Sequence, residues 1–418
     1  MKTVVLDDDP TGTQSATGVT VLFEAGVDQL VAALQEADAV YVQTNSRALP
    51  EEEAVALVRS IRVNAEEAAT RLGEQVRFVL RGDSTLRGHV FAESEVFLGG
   101  DAVMLFVPAF PEGGRTTNGG VHYVRVGERN LPAHETEYAD DPVFGFSTGV
   151  LADYVAEKSG RLGIPVALEQ VRAGELARVL AEAPAAAVVV PDAVDAEDIS
   201  AIARAVDAAT AGGRRIVVRS AAPLAAEIAG VTSDGLLPAP LADRSERVLL
   251  VCGSHTRGAT AQLSQVIAAW GAPAVVDTTA ALDAPVDAGL ETAAAARRTF
   301  AGEPVVILAT ERERSSQHNT LSHGERVMAA LTTAVSSLLP EVGVVVAKGG
   351  ITSAEVARTG IGATSALVLG QVLPGVSVWR MRARDGREVL YVVVPGNVGG
   401  PDTLSRVLDA LDVRVPAA

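Results

Sequence analysis

The chain has very little sulfur chemistry available: one cysteine, Cys252, in 418 residues. An intrachain disulfide is impossible, and the oxidising compartments that favour such bridges gain no support. Lysine is almost as scarce, with only Lys2, Lys158 and Lys348. None of them stands in a Walker A context, and no Gly-x-Gly-x-x-Gly follows a strand pattern, so the common nucleotide fingerprints are missing. No apolar run reaches the ~20 residues that a membrane span requires. Positive charge is in deficit, with 35 Lys and Arg against 52 Asp and Glu for a net charge of -17. Such a surface repels phosphate backbones and anionic lipid, which excludes nucleic acid and membranes as expected partners. A small anion is still allowed, because it needs only a local pocket of arginine and backbone N–H groups. The histidines (His89, His122, His134, His255, His318 and His323) form no HExxH and have no cysteine pair beside them, which argues against zinc. Cys252 ends an apolar run and reads as a small buried residue rather than a nucleophile. The opening MKTVVLDDDP carries aspartates where a signal peptide is still apolar, so the expectation is a soluble cytoplasmic protein.

What is present is material for a large core: 48% of residues are hydrophobic, and the length suits two or three domains. Four short apolar runs in the first third, 3–6, 39–44, 76–80 and 102–107, each end in a polar loop. Those loops hold Asp7, Asp8 and Asp9; Asn45, Ser46 and Arg47; Arg81, Asp83, Ser84 and Thr85; and Pro108 to Pro111. Between the second and third runs, Ala54, Val58, Ile61, Ala65, Ala68 and Leu72 share one helical face that Gly73 stops. Strands alternating with helices predict a largely parallel sheet, in which ligands bind beyond the carboxyl ends of the strands. Residues 116–146 show no clear period and read as a long functional segment. Strands at 187–190 and 216–219 resume the rhythm. The segment 237–247 is the best linker candidate, giving expected domains at 1–240 and 248–418.

The second domain repeats the α/β pattern. A strand at 248–251 leads into Gly253-Ser254 and a helix with Leu263, Val266, Ile267 and Trp270 on one face. Further strands are expected at 304–309 and 342–347. Strands at 376–382 and 388–394 flank Asp385-Gly386, a strong hairpin signal. Three glycine-bearing loops lie between strand and helix: Gly253-Ser254, Gly349-Gly350-Ile351-Thr352, and Gly396 to Gly400, with Pro401 expected as the first helical residue. Glycine lets the backbone approach a ligand, and the N–H groups that follow attract anions, so three such loops point to phosphate. In the first domain the arginines can clamp a carboxylate, and a facing aspartate can take a proton from a hydroxyl. Asp8, Asp9 and Asp83 all fit that second role. A competing pattern runs from Val4 to Thr11, which also fits the hhhDxDxT opening of haloacid-dehalogenase-type phosphatases, with Asp7 as nucleophile; the late acidic pair such enzymes need is missing after Lys348.

Taken in order, these loops resemble the four-carbon acid sugar kinase family. Asp7-Asp8-Asp9-Pro10-Thr11-Gly12-Thr13 is similar to its ADDLTGA opening, with Pro10 in place of Leu. Asp83 to Gly88 reproduces its DSTLRG without change. Pro108 to Pro111 with Gly114-Arg115, and Thr136-Glu137 with Asp141-Pro142, resemble two further segments. Ser254, Gly349 to Thr352, and Gly396-Asn397-Val398-Gly399-Gly400-Pro401 match the loops expected to hold ATP, with Gly399 and Gly400 among the nucleotide contacts. The resemblance covers nearly the whole chain. It implies a sugar-acid-binding domain, a nucleotide-binding domain, an active site in the cleft between them, and ATP-dependent phosphorylation of a threonate, erythronate or 3-oxo-tetronate. On that reading Arg47, Arg81, Ser84 and Arg87 contact the sugar acid, Asp83, Asp9 or Asp8 carries the proton, and Mg2+ bridges the ATP phosphates through ligands left unassigned. A homodimer is the candidate assembly. A two-domain sensor that binds the same ligands without catalysis is the non-enzymatic alternative; in the kinase reading Asp7 is a loop-capping or surface acid.

Overall fold

A computed structural model describes residues 1–233, 235–243, 246–300, 303–312, 321–396 and 398–413. His318, Asn397, and the linker residues Arg244 and Ser245 lie outside that description. The chain divides into two compact units, Met1–Thr232 and Ser233–Ala418. Among the described residues no helix is long and apolar enough to cross a membrane.

The first unit contains β1 (Lys2–Asp7), β2 (Thr20–Leu22), β3 (Ala39–Gln43), β4 (Val76–Arg81), β5 (Val103–Val107), β6 (Arg115–Asn118), β7 (Val121–Val126), β8 (Arg129–Pro132), β9 (Gly163–Val166), β10 (Val188–Pro191) and β11 (Ile216–Ser220). Its main sheet runs β2-β3-β1-β4-β11-β5-β10-β9, and the pairs are parallel. Both faces are covered, so the strands are apolar runs rather than alternations: Val4, Val5 and Leu6 are all buried. The helix Glu51–Leu72 lays Ala54, Val58, Ile61, Ala65 and Ala68 on the sheet and ends at Gly73, whose φ is +68°. Each buried Val or Ile there contributes about 1.5–3 kcal/mol. The register sets Asp7 level with Arg81, and Arg81 level with Ser220, at the carboxyl edge.

The aperiodic segment is ordered after all. β6, β7 and β8 form a separate antiparallel sheet. Strands of four to six residues, broken at Gly119-Gly120 and Gly127, are too short for an alternation to show. The Asp192 carboxylate accepts the Gly119 and Gly120 N–H groups at 2.8 and 2.9 Å and ties that turn to the end of β10.

The second unit contains β12 (Val248–Cys252), β13 (Ala274–Val276), β14 (Val305–Thr310), β15 (Val344–Lys348), β16 (Ser365–Leu373), β17 (Val376–Arg382) and β18 (Glu388–Val394), in the order β13-β14-β12-β15-β18-β17-β16. The first five are parallel, and β18, β17 and β16 follow as an antiparallel meander. Asp385-Gly386 makes the expected turn, with Gly386 at φ +86°. The helix Arg257–Trp270 buries Leu263, Val266 and Trp270. The last helix starts at Thr403, not at Pro401. The Thr403 amide and hydroxyl both return to the Gly400 carbonyl, so Pro401 and Asp402 are spent in a turn first.

Candidate functional site

The first unit gathers its acids and arginines where β1, β4 and β11 end. Asp7 is the last residue of β1 and is completely buried, which corrects the expectation of a surface or loop-capping acid. Its Oδ1 accepts from the Arg81 guanidinium at 3.1 Å, while Oδ2 has no hydrogen-bond partner among the described residues. Burial pushes this carboxyl up to about 7, with Asp8 and Asp9 adding repulsion that Arg81 only partly offsets. Gly12 is required here, because a Cβ would fall 2.0 Å from the Asp7 carboxylate. A nucleophile must reach its substrate, and this one is sealed. The phosphatase reading loses its central residue.

Arg81 is 2% exposed and also donates to the Asp9 carbonyl at 3.2 Å, with Asp8 Oδ1 at 3.4 Å. Arg219, from β11, supports Asp8 from the other side: its guanidinium lies 3.4 Å from Asp8 Oδ2 and also binds Glu93. Burial raises the Asp8 carboxyl against the pull of Arg47, Arg81 and Arg219. Two glycines make room for this layer. A Cβ on Gly82 would meet the Arg219 guanidinium at 2.6 Å, and one on Gly88 would meet Asp8 Oδ2 at 3.1 Å.

Asp9 and Asp83 form the outer layer, and Arg47 joins them: it binds Asp9, and it lies 3.2 Å from Asp83 Oδ2. Asp9 caps the 3-10 turn Pro10–Ser15 by accepting the Thr11 N–H at 2.8 Å. Asp83 also accepts from the Thr85 hydroxyl and, at 2.8 Å, from Arg87 Nε. Burial alone would raise both carboxyls. The surrounding guanidiniums outweigh it, Arg47 and Arg81 at Asp9 and Arg87 and Arg47 at Asp83, and hold both below the ordinary carboxylate range. Arg87 packs its guanidinium over the Tyr138 ring, 4.9 Å from the centroid, with Asp141 at 3.7 Å. Arg47 and Arg87 keep 19% and 24% of their side chains exposed, whereas Arg81 keeps 3%. Ser84 is buried; its carbonyl meets His122 Nε2 at 2.8 Å, and Thr117 Oγ1 meets Nδ1 at 3.0 Å. Burial lowers this imidazole to about 4, so it stays neutral and acts as a strut under the loop.

In the second unit the register levels Cys252 with Lys348, and Lys348 with Val394, so three loops leave the sheet together. They pack around Ser254. A Cβ on Gly349 (φ +114°) would lie 2.9 Å from the Ser254 Cβ, and one on Gly396 would lie 3.0 Å from its Oγ. Gly253 faces Thr352 in the same way, at 2.4 Å from Oγ1. Thr256 caps the helix Arg257–Trp270 and donates its hydroxyl to the Gly396 carbonyl at 2.9 Å. Gln262 donates to the Val398 carbonyl at 3.1 Å. Ile351 is 53% exposed, and Gly399 and Gly400 lie beyond the cluster in the loop before the last helix. Lys348 is buried beneath, giving its ammonium to the Pro395 carbonyl at 2.6 Å, and burial lowers it to about 8.

Sequence reasoning missed Arg219, Glu93 and Tyr138 in the first unit and, in the second, Arg312, whose guanidinium donates to the Ser254 carbonyl. Arg219 carried a usable signal: it sits at the end of an apolar strand, as Asp7 and Arg81 do. Tyr138 carried a weaker one, directly after Thr136-Glu137 in a segment that resembles the family's; Glu93 carried none, being a single polar residue in a stretch without a motif.

A family described as a sugar-binding N-terminal domain matches residues 3–228, and one described as a nucleotide-binding C-terminal domain matches residues 249–404. The chain is 32% identical over 283 residues to a D-threonate kinase of Bordetella bronchiseptica, covering 64% of each chain. It is 32% identical over 237 residues to a D-erythronate kinase of Heliobacterium modesticaldum, covering 55% of this chain and 50% of that one. These matches span 64% and half of the length of those two relatives. A 3-oxo-tetronate kinase of Methylobacterium radiotolerans is 27% identical over 431 residues, 97% of this chain and 98% of the other. A solved structure of a Haemophilus influenzae protein of the DUF1537 family has the same fold, with a TM-score of 0.63 at 17% identity over 98% of this chain and all of that one.

Proposed function

The chain belongs to the four-carbon acid sugar kinase family, and from that premise we propose that it transfers the γ-phosphoryl group of ATP to a hydroxyl of a four-carbon sugar acid. Residues 1–240 would hold the acid and residues 248–418 the nucleotide. The observation that carries this reading is the Asp9–Arg47–Asp83–Arg87 chain at the carboxyl edge of the first sheet. It offers partly open guanidiniums beside carboxylates that stay ionised.

Arg47 and Arg87 are assigned to the substrate carboxylate, because each keeps an exposed edge. Arg81 moves from substrate contact to organisation, since its guanidinium is already given to Asp7, Asp8 and the Asp9 carbonyl. Asp83 or Asp9 orients the attacking hydroxyl and accepts its proton as the bond to phosphorus forms. The transition state of phosphoryl transfer is loose, so positioning matters more than base strength, and a carboxylate of low pKa suffices. Asp8 braces that layer from beneath.

On the nucleotide side, Ser254, the Gly349–Thr352 loop, Gly396 and the Gly399-Gly400 turn present small residues and backbone to the phosphates. The bare Cα atoms of Gly349 and Gly396 leave a cradle that any side chain would fill. Among the described residues no group of three His, Cys, Asp or Glu side chains is placed to hold a metal ion. Mg2+ would arrive on the triphosphate oxygens, where it neutralises charge, as is usual for an ion that keeps much of its water.

The acid itself stays a class: threonate, erythronate or 3-oxo-tetronate, since the relatives carry all three names. A coupled ADP-release assay across these acids tests the reading. ADP released only in the presence of one of them supports it, and tight binding of acid and ATP without ADP release would leave a sensor instead.

A further inference from the structure

The turn at 83–88 carries a backbone feature that the charge cluster does not account for. Leu86 sits at φ +67°, in the left-handed region, although it is not a glycine. A bulky L residue is strained there, and it persists only where its surroundings hold it. Two contacts hold Leu86. Its side chain is 1% exposed and belongs to the core cluster that includes Val90, Phe91, Phe106, Phe146 and Tyr154. Its carbonyl accepts the Tyr154 hydroxyl at 2.8 Å, from the helix Leu151–Ser159. The Tyr154 ring is buried, stacked on Phe106 with centroids 5.9 Å apart and edge-on to Phe146 at 5.8 Å. Burial raises its hydroxyl above the ordinary tyrosine value, so the proton it donates stays in place.

We propose that Tyr154 is a positioning residue for the sugar acid: by holding the Leu86 carbonyl it keeps the turn in its strained form and so aims Arg87, an inference that rests on the kinase reading above. Leu86 immediately precedes Arg87, so its backbone angles decide where the Arg87 side chain leaves the chain. In the conformation that Tyr154 braces, Arg87 Nε reaches Asp83 at 2.8 Å and the Thr85 hydroxyl at 3.1 Å, and the guanidinium lies over the Tyr138 ring. Removing one hydroxyl leaves a buried carbonyl without that donor and a strained residue without that brace. Both costs are relieved if Leu86 returns to an ordinary conformation, and Arg87 then turns with it. The ring packing needs no hydroxyl, so a residue that only filled the core could as well be phenylalanine.

The test is Tyr154→Phe in the full chain, which keeps the ring and removes the hydroxyl, assayed for the KM of both substrates alone and in a cycle with Arg87→Ala. The variant is expected to raise the KM for the sugar acid ~10-fold, the scale of a buried acceptor left unpaired, with the KM for ATP unchanged. Added to Arg87→Ala it should cause no further rise, because it acts through Arg87. A crystal structure of the variant should show Leu86 outside the left-handed region and Arg87 Nε away from Asp83. Unchanged KM values with only a lower melting temperature overturn the proposal and make Tyr154 an ordinary core residue. An equal rise in the Arg87→Ala background overturns it too, as does a Leu86 that keeps its positive φ or a KM for ATP that moves with that for the acid. A wild-type chain that turns over none of the three acids sinks the kinase reading itself, and this inference with it.

Discussion

The two candidate sites are made from opposite materials. In the first unit the work is done by charged side chains: Asp7, Asp8, Asp9, Asp83 and Glu93 interlock with Arg47, Arg81, Arg87 and Arg219, nearly all of them buried. In the second, backbone and absence of side chain dominate, with Gly349 and Gly396 closing on Ser254 and Gly253 on Thr352, above the buried Lys348 ammonium. The difference follows from the ligands proposed for each. A small hydroxy acid carries one carboxylate and a few hydroxyls, which demand directional partners of fixed protonation. A triphosphate carries diffuse charge that many N–H groups can share. A charge-built site should fail abruptly when one of its ionised members is neutralised, because breaking a buried pair strands its partner at a cost of about 3–5 kcal/mol. A backbone-built site should fail by obstruction.

The largest effect is expected from Asp83→Asn, which keeps the shape and removes the charge shared by Arg47 and Arg87. Losing the group that orients and deprotonates the hydroxyl should lower kcat by ~10²–10⁴, with a smaller change in the KM for ATP. Asp9→Asn is the parallel variant, and whichever of the two falls further is the base. Retention of kcat in both would remove the acid layer from the chemistry.

Arg87→Ala comes next and should act on the sugar acid alone. Truncating one partner of a charge-assisted pair costs about 2–5 kcal/mol, read here as a raised KM for the acid. Arg219→Met acts through Asp8 and should lower kcat without moving the KM for ATP. An Arg219→Lys variant that restores most of the rate would show that the charge, not the packing, positions Asp8.

How far these residues could be read from sequence depends on the kind of signal they leave. Asp8, Asp9, Arg81 and Asp83 stand in short clusters after apolar strands, and the rule that parallel sheets bind ligands at their carboxyl ends puts them together. What periodicity cannot give is depth. Nothing in the run Asp7-Asp8-Asp9 says that the first is sealed under Gly12 and the third faces Arg47, because that depends on register with β4 and β11. For Arg219 the strand end was legible but its partners were not, since Asp8 and Glu93 are more than a hundred residues away in sequence. The antiparallel sheet β6–β8 was illegible because its strands end before an alternation accumulates.

Gly349→Ala sharpens the other half of the comparison. At φ +114° an added methyl is strained by about 1–3 kcal/mol, and it would press on Ser254 at 2.9 Å. The KM for ATP should rise about tenfold with the KM for the sugar acid unchanged. Movement of both constants would mean that the two sites do not fail independently.

The smallest effect on turnover, and the clearest on pH, is expected from Asp7→Asn. Asp7 is buried among Arg81, Asp8, Asp9 and Tyr41, and its carboxyl is raised from the ordinary 3.8 to about 7. The folded chain therefore holds this proton longer than the unfolded chain does. As pH rises from about 4 to about 7 the unfolded state sheds it first, and stability falls across that window. Asparagine has no such proton, so the variant should melt near the wild type at pH 5 and above it at pH 8. Asp9 and Asp83 do not blur this result, because their carboxyls are depressed and lose their stabilising charge only in stronger acid. ATP-dependent turnover should stay within a few-fold of the wild type, since Asp7 touches Arg81 and not the open edge of the cluster. A variant that melts below the wild type at pH 8 would show that the Asp7–Arg81 pair stabilises the charged form after all. One that loses all turnover while melting normally would return Asp7 to the chemistry.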